Sequence, residues 1–305
     1  MSEGQMSERV HRDVPRPVTS VVPAGSPRPS FEEATHVPYD KATRHLWGDD
    51  EAGRVADWIY VSSDKIHHLV FALPPGGMFR HSEGFRTVFA ADEVLYVLSG
   101  TMVFADPEHG EVRRVEAGQG VFFRRDTWHH AMSFGDDQLR VLEFFAPPPA
   151  TGASSAYART KDFLSDPRYQ DDRWVGRWPM AADERAAASR LQVLGSGETL
   201  DSLEGDGAFV QTFASTEHLT VEKITIRPGG HSATRRHGGD AAMHALNGTL
   251  NVLLTEGPDS HGQRWFEVHP DDGFFLPEGT TYELRNVTGD EVQVLTGVAP
   301  SFTTG

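Results

Sequence analysis

The stretch PPGGMFRHSEGFRTVFAADEVLYVLSGTM, residues 74–102, decides the fold. It opens on a Pro-Pro-Gly-Gly turn signal and ends just past Gly100, and the apolar run at 93–98 between these turns predicts a strand. A second stretch, GQGVFFRRDTWHHAMSF at residues 118–134, again combines glycines with a short apolar run and carries His129. Short strands separated by turns are typical of an all-β barrel or jelly roll.

The first half of the chain is repeated in the second half. At an offset of 153 residues Gly76 falls on Gly229, whereas Gly100 matches Gly248 at an offset of 148. The difference of five residues (153 − 148) indicates an insertion in the first copy at residues 84–91. An internal repeat of this length predicts two barrels of one fold in tandem.

The repeat also indicates the domain boundaries. We expect a flexible N-terminal arm at 1–35, a first barrel at 36–155, a connector with one helix after Pro179 at 156–195, and a second barrel at 196–305. In the first copy we predict strands at 58–61, 67–73, 93–98, 101–105, 120–124 and 140–145.

Composition excludes several classes of function. Asp and Glu number 44 against 28 Lys and Arg, a formal charge of −16, so general binding to nucleic acid is not expected. With no cysteine, disulfides, thiolate metal sites and thiol nucleophiles are excluded, and 15 histidines remain as metal ligands. No apolar run approaches the roughly 20 residues of a membrane span, and the polar start lacks the core of a secretory signal. We therefore expect a cytoplasmic protein without membrane partners.

The two motifs resemble those of the cupin superfamily. In that family a glycine turn and a His-x-His pair precede Glu, six residues and Gly, and a second motif runs from Gly through a strand and a Pro-x-Gly turn to His. The matching positions here are the turn at 76–77, His81, Glu93, Gly100 and His129. The resemblance implies a double-domain, or bicupin, jelly roll over about residues 57–305, a single divalent metal ion and a homodimer.

The metal ligands that the resemblance implies are His81, Glu93 and His129. Counted from the glycine turn, the second histidine of the pair is Glu83, which is an optional fourth ligand. Counted back from Glu93, its place falls near residues 88–89, within the insertion. The sequence also departs from the family at residues 124–126, where Arg-Arg-Asp stands for Pro-x-Gly.

A metal is also expected on physical grounds. A glutamate facing the barrel interior would be a buried charge, which costs several kcal/mol unless it is neutralised. Two imidazoles and one carboxylate leave coordination positions open for substrate, water or O₂. This set favours Fe(II), and Mn, Ni, Co or Zn would also fit.

Other residues were assigned by strand alternation. Because His67 and His68 are adjacent, only one of them can face the interior, where it would be a candidate acid–base residue. Tyr96 is a third candidate catalytic residue. Strand alternation also allows Tyr96 and Glu143 to be part of the core or the pocket wall. His130 should point away from His129, towards the surface or behind the ligands.

The second copy lacks the ligands. Arg235 and His237 stand at the places of the histidine pair, Ala241 at that of the glutamate, and Tyr282 at that of His129. We interpret the second barrel as structural. The alternative is a pocket in which Arg235 and His237 bind a carboxylate.

Three functions follow from these residues. The first is a mononuclear metal oxygenase acting on a small organic substrate with O₂. The second is a non-redox isomerase, lyase or cyclase, in which the ion acts as a Lewis acid and His67 or His68 moves a proton. The third is a barrel that binds a small molecule without turnover.

Overall fold

The computed structural model describes residues 27–83, 85, 87–146, 158–195, 197, 199–256, 262–300 and 302–303. The strands that precede the connector are β1 Thr35–Val37, β2 Thr43–Asp49, β3 Gly53–Ser62, β4 His67–Leu73, β5 Met78–Phe79, β6 Thr87–Phe89, β7 Asp92–Ser99, β8 Thr101–Asp106, β9 Glu111–Glu116, β10 Gly120–Phe123, β11 His130–Ser133 and β12 Leu139–Ala146.

The connector and second half contain the other elements. These are β13 Ala158–Thr160, helix α1 Ala182–Ala187, β14 Gln192–Leu194, β15 Leu200–Glu204, β16 Asp206–Ser215, β17 Thr220–His231, β18 Arg235–Arg236, β19 Asp240–Asn247, β20 Leu250–Glu256, β21 Trp265–Val268, β22 Gly273–Leu276, β23 Thr281–Arg285 and β24 Val292–Ala299. Short 3₁₀ turns lie at Tyr39–Lys41 and Asp172–Trp174.

The strands form two barrels, which confirms the predicted all-β fold. In the first barrel a sheet in the order β14-β10-β7-β12-β4-β3-β2 is joined by a second sheet, β5-β11-β8-β9. The second barrel is built on one larger sheet that runs β1-β22-β19-β24-β17-β23-β20-β21. Each barrel encloses an apolar core of its own, and a third apolar cluster lies between them.

Local patterns located the strands to within a few residues. The prediction at 93–98 corresponds to β7, and the prediction at 67–73 coincides with β4. The helix expected after Pro179 is present as α1, but it has only 6 residues and buries none of them. No helix in the described ranges is long and apolar enough to cross a membrane.

Each barrel receives a strand from the segment that precedes the other barrel. β1, which precedes the first barrel, pairs with β22 of the second, and β14, which precedes the second, pairs with β10 of the first. These strands cover sheet edges that would otherwise expose unpaired backbone groups. Residues 1–26 of the arm lie outside the described residues. The part at 27–35 was expected to be flexible, but it is bound to the barrels because Ser62 N–H donates to the Pro29 carbonyl and β1 begins at residue 35.

The two barrels pack through the outer faces of their sheets. Tyr60 and Phe144 of the first barrel lie against backbone of the second, at Gly273 and Gly297. A Cβ at Gly273 would stand 2.6 Å from the Tyr60 ring, and one at Gly297 would stand 2.9 Å from the Phe144 ring. The aromatic rings therefore fill space that only glycine leaves open.

Two equivalent hydrogen bonds join the barrels across this interface. Ser63 Oγ donates to Asp240 Oδ2 at 3.0 Å, and Thr216 Oγ1 donates to Asp92 Oδ2 at 2.8 Å. Ser63 and Thr216 are related by the 153-residue offset, and Asp92 and Asp240 by the 148-residue offset. The repeat is thus preserved in the contacts between the barrels as well as in their folds.

Substituting the interface glycine Gly273 by alanine should destabilise the protein. The new Cβ would overlap the buried Tyr60 ring, and overpacking of this kind costs typically about 1–3 kcal/mol. The midpoint of urea unfolding should fall for Gly273→Ala. Gly289→Ala is the matched control, since a Cβ there meets no atom within 4 Å. Equal midpoints for the two variants would contradict the packing described here.

Candidate metal centre

Glu93 lies in a row of side chains inside the first barrel. His67 is opposite Phe145, and Phe145 is opposite Glu93, across β4, β12 and β7. Phe123 of β10 is opposite Glu93 on its other side. Directly opposed residues in antiparallel strands share one face of the sheet. Leu95, two residues beyond Glu93, belongs to the interior core, so this face is the inner one.

Glu93 is paired with a second buried carboxyl group, Glu143 of β12. Glu93 is 1% exposed and Glu143 is 9% exposed, and the Glu93 carboxyl hydrogen-bonds to that of Glu143. Burial and the adjacent Glu143 raise the pKa of Glu93 well above its usual range. Burial, with a further contribution from Asp57, raises the pKa of Glu143 to about 7. In the metal-free protein the pair therefore holds a proton, with Glu93 as its donor.

His129 is held neutral and oriented by its surroundings. Its ring packs against both Phe104 and Phe123, at centroid distances of 5.6 Å and 5.0 Å. Nδ1 lies 3.3 Å from the Thr127 carbonyl oxygen, so Nδ1 carries the proton and Nε2 keeps its lone pair. Burial lowers the pKa of His129 to about 4. A carbonyl that fixes one ring nitrogen leaves the other ready to bind a metal.

The turn before His129 keeps its geometry although its residues are unusual. Asp126 has φ 61°, in the left-handed region. It corresponds to Gly279 of the second barrel by the 153-residue offset, and Gly279 has φ 78°. Aspartate is among the few residues that tolerate this conformation. The replacement of Pro-x-Gly by Arg-Arg-Asp therefore leaves the backbone turn intact.

His81 lies beside His129 on the loop after β5. Its ring is 6.0 Å from that of His129 and 3.9 Å from that of Trp128, between centroids. Its backbone N–H donates to Nε2 of His130 at 3.3 Å. Glu83, the optional fourth ligand, is exposed. Among the predicted donors, the structure thus brings the two histidines together and leaves Glu83 at the surface.

The insertion at 84–91 supplies no second histidine ligand. Val88 is fully buried, and Phe89 stacks on Phe145 at 5.0 Å. The Phe89 carbonyl also accepts the Asp126 backbone N–H at 2.7 Å. β6 within this insertion pairs with β13 of the connector. The insertion therefore covers the region beside Glu93 without adding a donor to it.

The predicted donors are not assembled in the metal-free structure. The ligand atoms of His81, Glu93 and His129 do not all lie within 4.8 Å of one another. Their chemistry nevertheless suits a divalent cation, because Glu93 is buried with Oε2 lacking a hydrogen-bond partner among the described residues, and His129 is neutral. The three residues fit the ion as a donor set, and binding would require them to close around it and the Glu93 proton to leave.

A different group of donors is preassembled, on the turn between β8 and β9. Within the described ranges, Asp106, Glu108 and His109 form the one group of three whose ligand atoms lie within 4.8 Å. The Asp106 carboxylate already accepts the backbone N–H groups of Glu108 and His109 and the side chain of Arg190. These bonds explain the cluster as a turn stabilised by a buried aspartate.

The predicted catalytic residues lie on two different faces. His67 faces the interior, where Ser62 Oγ lies 2.7 Å from its Nδ1, and burial lowers the pKa of His67 to about 3. His68 instead stacks on Tyr60 between the barrels, at 4.8 Å. Tyr96 also belongs to the cluster between the barrels and lines a cavity of about 320 Å³ there. His67 is therefore the one of the three that shares a face with Glu93.

In the interior of the second barrel Arg235 is bound by two carboxylates of the chain. The Arg235 guanidinium makes two hydrogen bonds of 2.9 Å to Glu204 and one of 2.9 Å to Glu222. His237 Nε2 lies 2.9 Å from the Tyr282 hydroxyl. Arg235 is thus occupied by two carboxylates of the chain. This arrangement supports the structural interpretation of the second barrel and opposes the alternative of a carboxylate pocket.

Sequence patterns indicate some of the residues around the predicted ligands but not all of them. Glu143 is predicted in the core or the pocket wall, and the structure places it on the inner face of β12, which the interior residue Val141 shares by alternation, where it pairs with Glu93. His130 is predicted on the surface or behind the ligands, and the second alternative describes it, since it is buried and accepts the His81 backbone N–H. Tyr169, which contacts His130, lies in the connector, where no local pattern indicates a contact with the barrel.

Comparisons with known proteins agree with this architecture. Residues 69–145 match the family model of the cupin domain. No curated protein matches the sequence. Oxalate decarboxylase from Bacillus subtilis is 13% identical with a TM-score of 0.56, over 89% of this chain and 78% of that one. A putative glyoxylate induced protein from Pseudomonas aeruginosa is 12% identical with a TM-score of 0.62, over 92% and 95%. Protein Ylba from E. coli is 11% identical with a TM-score of 0.57, over 90% and 94%. These likenesses show a shared fold.

The carboxyl pair should make the metal-free protein less stable as the pH rises from about 4.5 to 7. In the unfolded chain Glu143 ionises near its ordinary pKa of 4.5, whereas in the folded protein its pKa is about 7. Folding then takes up a proton in this window, so the free energy of unfolding falls as the pH rises. In Glu143→Gln the free energy of unfolding should fall by about 1–3 kcal/mol less over this pH range than in the wild type.

The measurement is urea unfolding of chelator-treated protein at several pH values between 4.5 and 7.5. Glu267→Gln serves as the control, because Glu267 is an exposed residue of β21. The Glu267→Gln curve should parallel that of the wild type, and the Glu143→Gln curve should be flatter. Three parallel curves would show that the pair holds no additional proton.

Proposed function

We propose that the first barrel, in which residues 69–145 match the family model of the cupin domain, is the mononuclear metal site of an enzyme acting on a small organic molecule. One observation carries the proposal. Glu93, fully buried and with Oε2 lacking a hydrogen-bond partner among the described residues, faces the same interior as a neutral, oriented His129. A buried carboxyl group of this kind must be neutralised, and once its proton has left a divalent cation can take over that role.

In this proposal His81, Glu93 and His129 hold the ion. His129 offers Nε2 because the Thr127 carbonyl holds the Nδ1 proton. Glu93 becomes a ligand when its proton leaves the pair. Glu83 remains an optional fourth donor, since its exposed loop would have to turn inward to reach the site.

The first activity that we assign is oxygenation. Two imidazoles and one carboxylate suit Fe(II), which with open positions would bind and activate O₂ beside the substrate. Mn, Ni, Co and Zn are further ions that this donor set accepts. The chain itself contributes an apolar wall, including Phe104 and Phe123, that excludes water from His129. Glu143, whose pKa is raised to about 7, lies next to the ligand Glu93 and can accept a proton and return it to a product.

A second candidate, a non-redox lyase, isomerase or cyclase, is favoured by the carboxyl pair itself. A glutamate with a pKa of about 7 is suited to accept and donate protons at neutral pH. Glu143 would then act as the acid–base residue, a role for which the sequence indicates His67 or His68. The shared fold with oxalate decarboxylase, whose name describes a lyase reaction, supports the use of this barrel for such chemistry.

Metal content tests the proposal directly. Protein purified without added metal should contain close to one equivalent of a divalent ion, and His129→Ala should lose most of it, because one of three ligands is removed. Mutation of residues that hydrogen-bond to metal ligands typically weakens metal binding by about 10–100-fold. Loss of a ligand itself should weaken it further. Elemental analysis of dialysed samples gives the occupancy.

Two control variants separate this site from other histidines. His269→Ala removes an exposed histidine of the second barrel, and His237→Ala removes the histidine of the degenerate site. Both should keep the metal of the wild-type protein. Equally negligible metal in the wild type and the three variants, after incubation with Fe(II), Mn(II) or Zn(II), would contradict the proposed site.

Nitric oxide, a probe for open positions on Fe(II), distinguishes the two activities without knowledge of the substrate. Anaerobic Fe(II)-loaded protein should bind nitric oxide and give the spin-3/2 electron paramagnetic resonance signal of an iron–nitrosyl species. His129→Ala should lose it. A full Fe(II) complement with no such signal would contradict the oxygenase assignment and leave the lyase or isomerase candidate. The matching assay for that candidate is turnover of a panel of carbonyl compounds under strictly anaerobic conditions.

A further inference from the structure

The connector lies along the first barrel at the end where His129 and His130 are found. Lys161 donates to Glu108 Oε2 at 2.8 Å, and its ammonium lies 5.7 Å from the centre of the Trp128 ring. Farther on, Arg168 N–H donates to the Pro107 carbonyl. These contacts fix the path of the connector across the loop that carries the predicted ligand His129, and they bring Tyr169 to the site.

Tyr169 is joined to the predicted ligand His81 by two successive hydrogen bonds. The Tyr169 hydroxyl lies 2.9 Å from Nδ1 of His130, and Nε2 of His130 accepts the backbone N–H of His81 at 3.3 Å. A backbone N–H can only donate, so Nε2 must be unprotonated. The remaining proton of the neutral ring is on Nδ1, and it is donated to the Tyr169 oxygen.

We propose that Tyr169 is a positioning residue for the first-barrel site. Tyr169 holds the His130 imidazole, and His130 in turn fixes the backbone of His81. The role of His81 as a ligand rests on the proposed function, whereas the hydrogen-bond chain does not. His130 is 4% exposed, so its Nδ1–H has little access to water. Within the described residues the Tyr169 oxygen is the acceptor that satisfies it.

The connector thereby becomes part of the site rather than a link between barrels. Tyr169 is 45% exposed, and its ring also lies 6.0 Å from that of His130, a contact that phenylalanine at this position would keep while losing the hydroxyl bond. Loss of the hydroxyl would leave a buried N–H unpaired, which favours rotation of the His130 ring. Rotation would release the His81 N–H and with it the backbone that aims the His81 side chain.

Hydrogen exchange of the His81 amide in metal-free protein tests the positioning itself. Tyr169→Phe removes the hydroxyl and should speed exchange at His81 by about tenfold or more, as expected for loss of one buried hydrogen bond. Trp178→Phe, at an exposed aromatic residue of the same connector, should leave it unchanged. His130→Gln, whose amide can both accept and donate, should retain more protection than His130→Ala. Unchanged exchange in Tyr169→Phe would overturn the proposal.

Binding of Co²⁺, followed by its visible absorption, tests the consequence for the site. Tyr169→Phe should weaken Co²⁺ binding by about 10–100-fold, the range typical of residues that orient ligands, and His130→Gln should partly restore what His130→Ala loses. Faster exchange at His81 with unchanged Co²⁺ affinity would also overturn the proposal. If wild-type protein binds no Co²⁺ the proposed function fails, and the exchange measurement still decides whether Tyr169 positions His81.

Discussion

Both faces of the β7 strand are buried, and this constraint separates the candidate site inside the first barrel from the contact between the barrels. Successive side chains alternate between the barrel interior and the contact with the other barrel. Glu93 and Leu95 point inward, while Val94 and Tyr96 join the cluster between the barrels. A shift of one residue in register would exchange the site with the interface. The cross-barrel strands β1 and β14, together with the ring contacts at Gly273 and Gly297, hold that register.

The two barrels solve the same electrostatic problem in different ways. In the second barrel a side chain of the protein, Arg235, lies between Glu204 and Glu222 and offsets part of their negative charge. In the first barrel Glu93 and Glu143 face each other, and a shared proton reduces their repulsion. A proton is a poor substitute for a cation above the pKa of the pair. The difference gives a physical reason for a metal in the first barrel and for none in the second.

Sequence patterns predicted the fold because strand spacing is a local property of the chain and because the repeat is visible when the sequence is aligned with itself. They also selected His81, Glu93 and His129, which the structure places at the first barrel, although closure around an ion stays a prediction. Alternation could show that His67 and His68 face opposite ways but not which of them faces inward. That choice depends on the second barrel covering His68. The Tyr169 contact could not be predicted, because it depends on the path of an irregular connector.

The proton and the metal ion would compete for the same carboxyl group, and this links the carboxyl pair to its proposed use. A raised pKa means that Glu93 retains its proton at a pH where an ordinary glutamate is ionised, so binding of a cation must release that proton. Metal affinity should therefore increase with pH over the range in which the metal-free fold loses stability. The same buried pair that would destabilise the fold without an ion would then favour the metal-bound fold, since ligand binding stabilises whichever state binds. Glu143, which is not among the three predicted ligands, would set the pH at which one form replaces the other.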